Sequence, residues 1–157
     1  MKSLVVYSSQ TGNTRKLAEV VYDTLSGEKE VYLTADAPDP ENYDFIAVGF
    51  WLMAGRPDAN TLEYLPKIKD KPLFLFVTHG AAAGSNHANE AMDIAKSLVP
   101  EADIRGAFSC QGEVNPKVLE KMKAKPAPPV WLENAPAAAG HPNDTDIEKL
   151  KRLVSTL

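Results

Sequence analysis

Apolar residues in this chain come in short blocks separated by polar loops. Leu4-Val5-Val6-Tyr7 is a continuous apolar run bounded by a polar stretch, the pattern of a strand buried on both faces. Residues 45–50 and 73–77 repeat that pattern, and Val31-Tyr32-Leu33 and residues 104–109 read as two further strands. Between the strands the period lengthens. Over residues 14–26, Leu17, Ala18, Val21 and Leu25 share one helical stripe, and Gly27 stands where a helix stops. Ala88, Ala91, Met92 and Ala95 repeat at helical spacing ahead of Pro100, and Val118, Leu119 and Met122 suggest a short amphipathic helix. A last helix carries the stripe Ile147, Leu150, Val154 and Leu157, with Asn143 or Asp144 as its cap.

Strands alternating with helical segments predict an α/β domain built on a parallel sheet. Residues 60–69 read as helix or loop. The stretch 36–42 carries two prolines and reads as loop, so the link between the second and third strands is a short turn or a crossing loop. Residues 126–143 hold five prolines and read as a long connection over the surface. No repeat and no shift of composition divides residues 1–157, which are expected to form a single domain.

Bulk composition narrows the function classes. The chain has 157 residues, 44% of them hydrophobic and 24% charged, ordinary values for one globular core. No apolar run approaches the roughly 20 residues that span a bilayer, and the N-terminal apolar stretch is too short for a secretory signal. The expectation is a cytoplasmic protein with no membrane insertion. Cys110 is the single cysteine, so no internal disulfide forms, and His79, His87 and His141 are scattered, so no metal site is expected. A net charge of −4 disfavours nucleic acid as a partner. Lys67, Lys69 and Lys71, and Lys117, Lys121, Lys123 and Lys125, read as solvated surface. No Ser-His-Asp set or carboxylate pair supports hydrolysis, and no catalytic residue is assigned.

One loop carries chemistry. Ser8-Ser9-Gln10-Thr11-Gly12-Asn13-Thr14 joins the first strand to the first helix. Hydroxyls at Ser9, Thr11 and Thr14 surround Gly12, which has no side chain to block close approach. A helix start adds free N–H groups and the positive end of its dipole, so the loop suits a phosphate. The alternative is an ordinary helix cap rich in Ser and Thr. No GxxxxGK[ST] lysine is present, which excludes an NTPase loop, and no GxGxxG, which argues against a dinucleotide fingerprint.

The stretch Val5–Thr14 closely resembles the phosphate loop of the flavodoxin family, whose pattern [ST]-x-T-G-x-T it matches at every fixed position. Strand spacing resembles that family through about residue 110, without room for the long fifth-strand insertion of its larger members. The resemblance implies a doubly wound, five-stranded parallel sheet of order 2-1-3-4-5 with helices on both faces. FMN is the implied cofactor, its phosphate held by Ser9, Gln10, Thr11, Gly12, Asn13 and Thr14. Two further loops are implied to meet the flavin. Trp51, Leu52, Met53, Ala54 and Gly55 follow the third strand, and Thr78, His79, Gly80, Ala81, Gly84 and Ser85 follow the fourth. Trp51 has an alternative as a core residue, and His79 as an exposed loop histidine.

Three departures stand against that pattern. The loop between His79 and Ser85 holds no carboxylate, no tyrosine stands there to stack on the ring, and the net charge is mild for the family. The Trp after strand three, Cys110-Gln111-Gly112 and His141-Pro142-Asn143 resemble instead a less-studied flavodoxin subgroup, some members of which accompany reductases. His87 is expected at the start of the third helix and His141 as structural or exposed. Cys110 is expected as a small buried hydrophobe rather than a redox thiol, and Gln111 as a residue within reach of the ring. The implied function is electron transfer between a reductase and an acceptor enzyme. The alternatives are an FMN-dependent NAD(P)H:quinone-type oxidoreductase and a flavin-binding accessory subunit of a reductase. Oligomeric state stays open.

Overall fold

The structure, a computed structural model, describes residues 2–9, 12–53, 56–79, 86–112, 120, 121, 123, 124, 126 and 140–157. Among the described residues there are six strands: β1 (Lys2–Tyr7), β2 (Glu28–Leu33), β3 (Phe45–Met53), β4 (Arg56–Pro57), β5 (Pro72–His79) and β6 (Asp103–Gln111). Helices α1 (Asn13–Thr24), α2 (Ala59–Tyr64), α3 (Asn86–Ser97) and α4 (Asp144–Ser155) accompany them. The long strands run parallel in the order β2-β1-β3-β5-β6, and β4 pairs antiparallel with β3 through Leu52↔Pro57 and Met53↔Arg56. With the long strands counted alone, this is the expected 2-1-3-4-5 sheet. The short β4 is an addition that two residues of sequence do not signal.

Alternation along each central strand divides the core into two layers, as pleating requires. Leu4, Val6, Ile46, Val48, Leu73, Leu75 and Val77 face one side, where Tyr64 of α2 and Met92 and Ala95 of α3 pack. Val5, Phe45, Ala47, Phe74 and Phe76 face the other, against Leu17, Ala18 and Val21 of α1 and Leu150 and Val154 of α4. Both faces of the central strands β1, β3 and β5 are therefore covered, which is why they read as unbroken apolar runs, whereas edge strand β2 leaves Val31, Tyr32 and Leu33 exposed. Each fully buried large side chain contributes about 1.5–3 kcal/mol.

The differences from expectation lie at element ends. The strands after the second run two or three residues past their predicted carboxyl ends, to Met53, His79 and Gln111. Backbone pairing sustains them there, through Trp51↔Thr78 and His79↔Gln111. Thr34–Asp36 and Pro40–Asn42 form single 3-10 turns between β2 and β3, the short crossing expected from the prolines. Leu157, placed on the last helical stripe, lies beyond α4 and is exposed. The predicted helix at Val118, Leu119 and Met122 and most of the 126–143 connection fall outside the described residues.

Candidate functional site

Parallel strands deliver their carboxyl ends to one edge of the sheet, and here the ends of β1, β3, β5 and β6 meet the start of α1. From β1 the chain leads to β2 on one side and, through β2, to β3 on the other, so the β1/β3 boundary is a topological switch point. Ligands in open α/β sheets bind outside the carboxyl ends at such a point, a rule of which the flavodoxin sheet is itself an example.

Local chemistry shapes the start of α1 for an anion. Ser9 Oγ accepts the Gly12 N–H at 3.0 Å, which folds the described part of the loop back on itself. Gly12 is the N-cap, at φ 89° in the left-handed region, and a Cβ there would meet nothing within 4 Å among the described residues. That backbone favours glycine. The other capped α-helices are closed by side chains, Asp58 on α2 and Asn143 on α4, with Asp144 and Asp146 in the first turn of α4. α1 has neither a side-chain cap nor an acid in its first turn. Among the described residues, then, no side-chain cap and no first-turn acid offsets the positive dipole end of α1. These features fit a phosphate monoester.

Thr14 and Thr78 are brought together by the fold. The Thr14 hydroxyl donates to the Phe50 carbonyl at 3.4 Å and lies 3.0 Å from the Thr78 hydroxyl, with both residues buried. The start of α1 is thus tied to the carboxyl ends of β3 and β5. Thr14 reaches inward from the loop, so its side chain anchors the loop to the sheet.

Gly112 closes the same junction. Its N–H donates to the His79 carbonyl at 2.8 Å. A Cβ on Gly112 would sit 2.8 Å from Asn13 Nδ2 and 3.1 Å from Thr78 Cβ. Glycine is needed there for close approach, since β6, β5 and α1 converge on its α-carbon.

Around this centre the remaining predicted residues take definite places. Trp51 is the seventh residue of β3 and is half-buried, with its carbonyl accepting the Asp58 N–H at 3.3 Å. Leu52 packs partly against the core layer that faces α2 and α3. His79 belongs to β5 and is buried, which removes the exposed-loop alternative. His87 lies in the first turn of α3, as expected. Gln111 ends β6 opposite His79 and is half-buried. Gln10, Thr11, Ala54, Gly55, Gly80, Ala81, Gly84 and Ser85, with the Met53 side chain, lie outside the described residues.

Cys110 is buried in register with Thr78, and burial pushes its thiol up to about 12, with the charge of Asp146 adding to the shift. A thiol held neutral is a packing residue. Asp146 also accepts from the Asn143 N–H at 2.9 Å and lies 2.6 Å from His141 Nδ1. Asp146 is fixed by Asn143 and His141, and its charge acts on Cys110 electrostatically. His141 is structural in this sense, a partner of the α4 capping box. Asp58 was not anticipated. It is buried, accepts from the Thr61 N–H and hydroxyl at 3.3 and 2.8 Å, and fixes the turn between β4 and α2. An Asp three residues before a Thr at a helix start is the signal that locates it.

Comparison with known proteins agrees with this architecture. The flavodoxin domain family model matches residues 4–155. A flavodoxin-like domain-containing protein, BilS, of Clostridioides difficile strain CD3 is 38% identical over 130 residues, which cover 80% of this chain and 72% of that one. Among solved structures, a flavodoxin of Streptococcus pneumonia TIGR4 aligns with a TM-score of 0.67 at 14% identity, over 98% of this chain and 95% of that one. A flavoprotein of Lactobacillus acidophilus NCFM, solved in complex with FMN, aligns with a TM-score of 0.57 at 20% identity, over 69% of this chain and 92% of that one. With the family pattern matched from β1 to the end of α4 and the sheet order that goes with it, the chain belongs to the flavodoxin family.

Proposed function

We propose that this chain binds FMN at the carboxyl edge of its sheet and carries electrons between a reductase and an acceptor enzyme in the cytoplasm. Family membership and a solved relative in complex with FMN support the cofactor. The observation that carries the reading is the start of α1, where, among the described residues, there is no side-chain cap, no acid in the first turn and nothing within 4 Å of a Cβ at Gly12. FMN supplies the redox chemistry when bound, and the chain supplies binding, orientation and electrostatics. In this reading the first amides of α1 and the hydroxyls of Ser9 and Thr11 hold the phosphate. Thr14 and Thr78 set the loop against the sheet. Trp51 to Gly55, and the residues that follow His79, flank the ring.

Among the described residues no helix is long and apolar enough to cross a membrane, and no cluster of His, Cys, Asp and Glu could hold a metal ion. Electron carriage needs a bound flavin with an accessible edge, and a partner on each side. The test is anaerobic. FMN-loaded protein is reduced with dithionite and mixed with oxidised cytochrome c, and NAD(P)H oxidation by the loaded protein alone is followed separately. Rapid transfer to the cytochrome with negligible NAD(P)H oxidation is expected. Sustained NAD(P)H turnover without a partner would favour the oxidoreductase alternative.

A further inference from the structure

The two edges of the sheet are built differently. β6 carries an extra residue, Arg105, opposite the Leu73–Phe74 step of β5, and Arg105 pairs with Asp103 at 2.6 Å. A bulge and exposed charges are usual guards of an edge strand. β2 has neither bulge nor proline. Its six residues pair with β1 in unbroken register, and its outer side has no strand partner among the described residues. Four large hydrophobic side chains are exposed among the described residues, and three of them, Val31, Tyr32 and Leu33, stand in a row on this strand. The charges in the middle of β2 are turned back into their own chain. The Lys29 ammonium donates to the carbonyls of Tyr22 at 2.7 Å and Leu25 at 2.9 Å. The Glu30 carboxylate accepts from the hydroxyls of Tyr32 and Tyr43 at 2.8 and 3.0 Å and pairs with Lys2 at 3.1 Å. Both charges are compensated before anything docks, so covering this edge costs less than covering free charges.

We propose that the β2 edge pairs antiparallel with the β2 edge of a second copy of this chain, about a dyad at Val31. A dyad normal to the joined sheet keeps each side chain on its own face, so a residue opposes only itself or one an even number of places away. That leaves few registers. A centre at Lys29 or Glu30 sets like charges directly opposite, which is destabilising. A centre at Tyr32 pairs only residues 31–33 of the strand. The centre at Val31 pairs residues 29–33 and leaves Glu28 outside. Val31 then meets Val31, Lys29 lays its aliphatic stem against Leu33, and Glu30 faces the hydroxyl-bearing Tyr32. Val31 and Leu33 fall on the α1 side of the sheet, as does Val5 opposite Val31, so one apolar row continues across the seam. No like charges meet. Antiparallel strands also send the two carboxyl edges in opposite directions, so the two candidate sites lie at opposite ends of the joined sheet.

Sedimentation velocity and amide hydrogen exchange on the full chain form the test, with the parent, Val31→Lys and Val31→Glu. A ladder over residues 29–33 is a small interface, so the parent should pair with a dissociation constant between about 1 μM and about 1 mM. Each variant alone should pair at least about tenfold more weakly, because like charges then meet at the dyad. Mixed in equal amounts, the two variants should pair at least about tenfold more tightly than either alone. Val31 is exposed, so both variants should melt close to the parent monomer. In the parent, amides of residues 29–33 should exchange more slowly as concentration rises. A parent that stays monomeric at about 1 mM overturns the proposal and gives this edge to a different partner. So does a dimer that neither substitution weakens, a mixture no tighter than its components, or exchange at residues 29–33 that ignores concentration. If either variant fails to fold, exchange in the parent decides.

Discussion

Thr14 and Thr78 face each other across the carboxyl edge of the sheet, their hydroxyl oxygens 3.0 Å apart and both side chains buried. One hydroxyl comes from the first turn of α1 and the other from near the end of β5. Thr14 also reaches the Phe50 carbonyl at 3.4 Å. Replacing Thr14 with Val leaves the buried Thr78 hydroxyl without this partner, at a cost of about 1–3 kcal/mol. The double change Thr14→Val/Thr78→Val should cost less than the sum of the single changes, because it removes both ends of the pair. Urea unfolding of the three variants measures this, and strict additivity would show that the pair does not interact.

Gly49 of β3 pairs with Phe76 of β5, and the Phe76 ring occupies the space that a Cβ at Gly49 would take. Phe76 is buried in the layer beneath α1. Gly49→Ala should destabilise the protein by about 1–3 kcal/mol through overpacking. Gly49→Ala/Phe76→Leu should recover part of the loss in denaturant midpoint. A Gly49→Ala variant as stable as the parent would mean that the ring moves aside freely.

The Cys110 thiol is raised by burial from 9.0 to about 12. The folded chain thus keeps a proton that the unfolded chain releases above about pH 9. Stability linked to this group is complete below that pH and falls as the pH climbs towards 12. Burial also raises Tyr43 and Tyr64, which steepen the same alkaline limb. Cys110→Ala should flatten the limb between pH 9 and 11 in thermal melts. At pH 8 the native thiol should react with a disulfide reagent far more slowly than the thiol in denaturant. Equal rates would show that Cys110 is accessible.

Much of this architecture was legible in the chain. Unbroken apolar runs such as Leu4–Tyr7 announce strands covered on both faces, and the stripe through Leu17 and Val21 announces α1. Strand ends were harder to read. Trp51–Met53, Thr78–His79 and Cys110–Gln111 belong to β3, β5 and β6 because backbone pairing continues past the apolar run, and hydropathy does not report pairing. The phosphate loop was legible because a turn into a helix needs its residues in sequence order. The Gly112 junction was not. It joins residues separated by most of the chain, and parallel register, a property of the fold, brings them together.

Thr11 lies at a fixed position of the family pattern, directly before the open cap. If its hydroxyl donates to the phosphate, Thr11→Val removes a charge-assisted hydrogen bond worth about 1.5–3 kcal/mol. FMN affinity should then fall about ten- to a hundredfold. Isothermal titration with the parent and the variant measures the change, and equal affinities would place the phosphate elsewhere.

Titration of the purified apoprotein with FMN asks whether the start of α1 makes this chain an FMN protein. Absorbance is recorded after gel filtration, with riboflavin run in parallel. FMN should elute with the protein at near-equal molar amounts, with its visible bands shifted from those of free flavin, and riboflavin should be retained far less. FMN eluting free with an unshifted spectrum, or riboflavin retained as well as FMN, would contradict it.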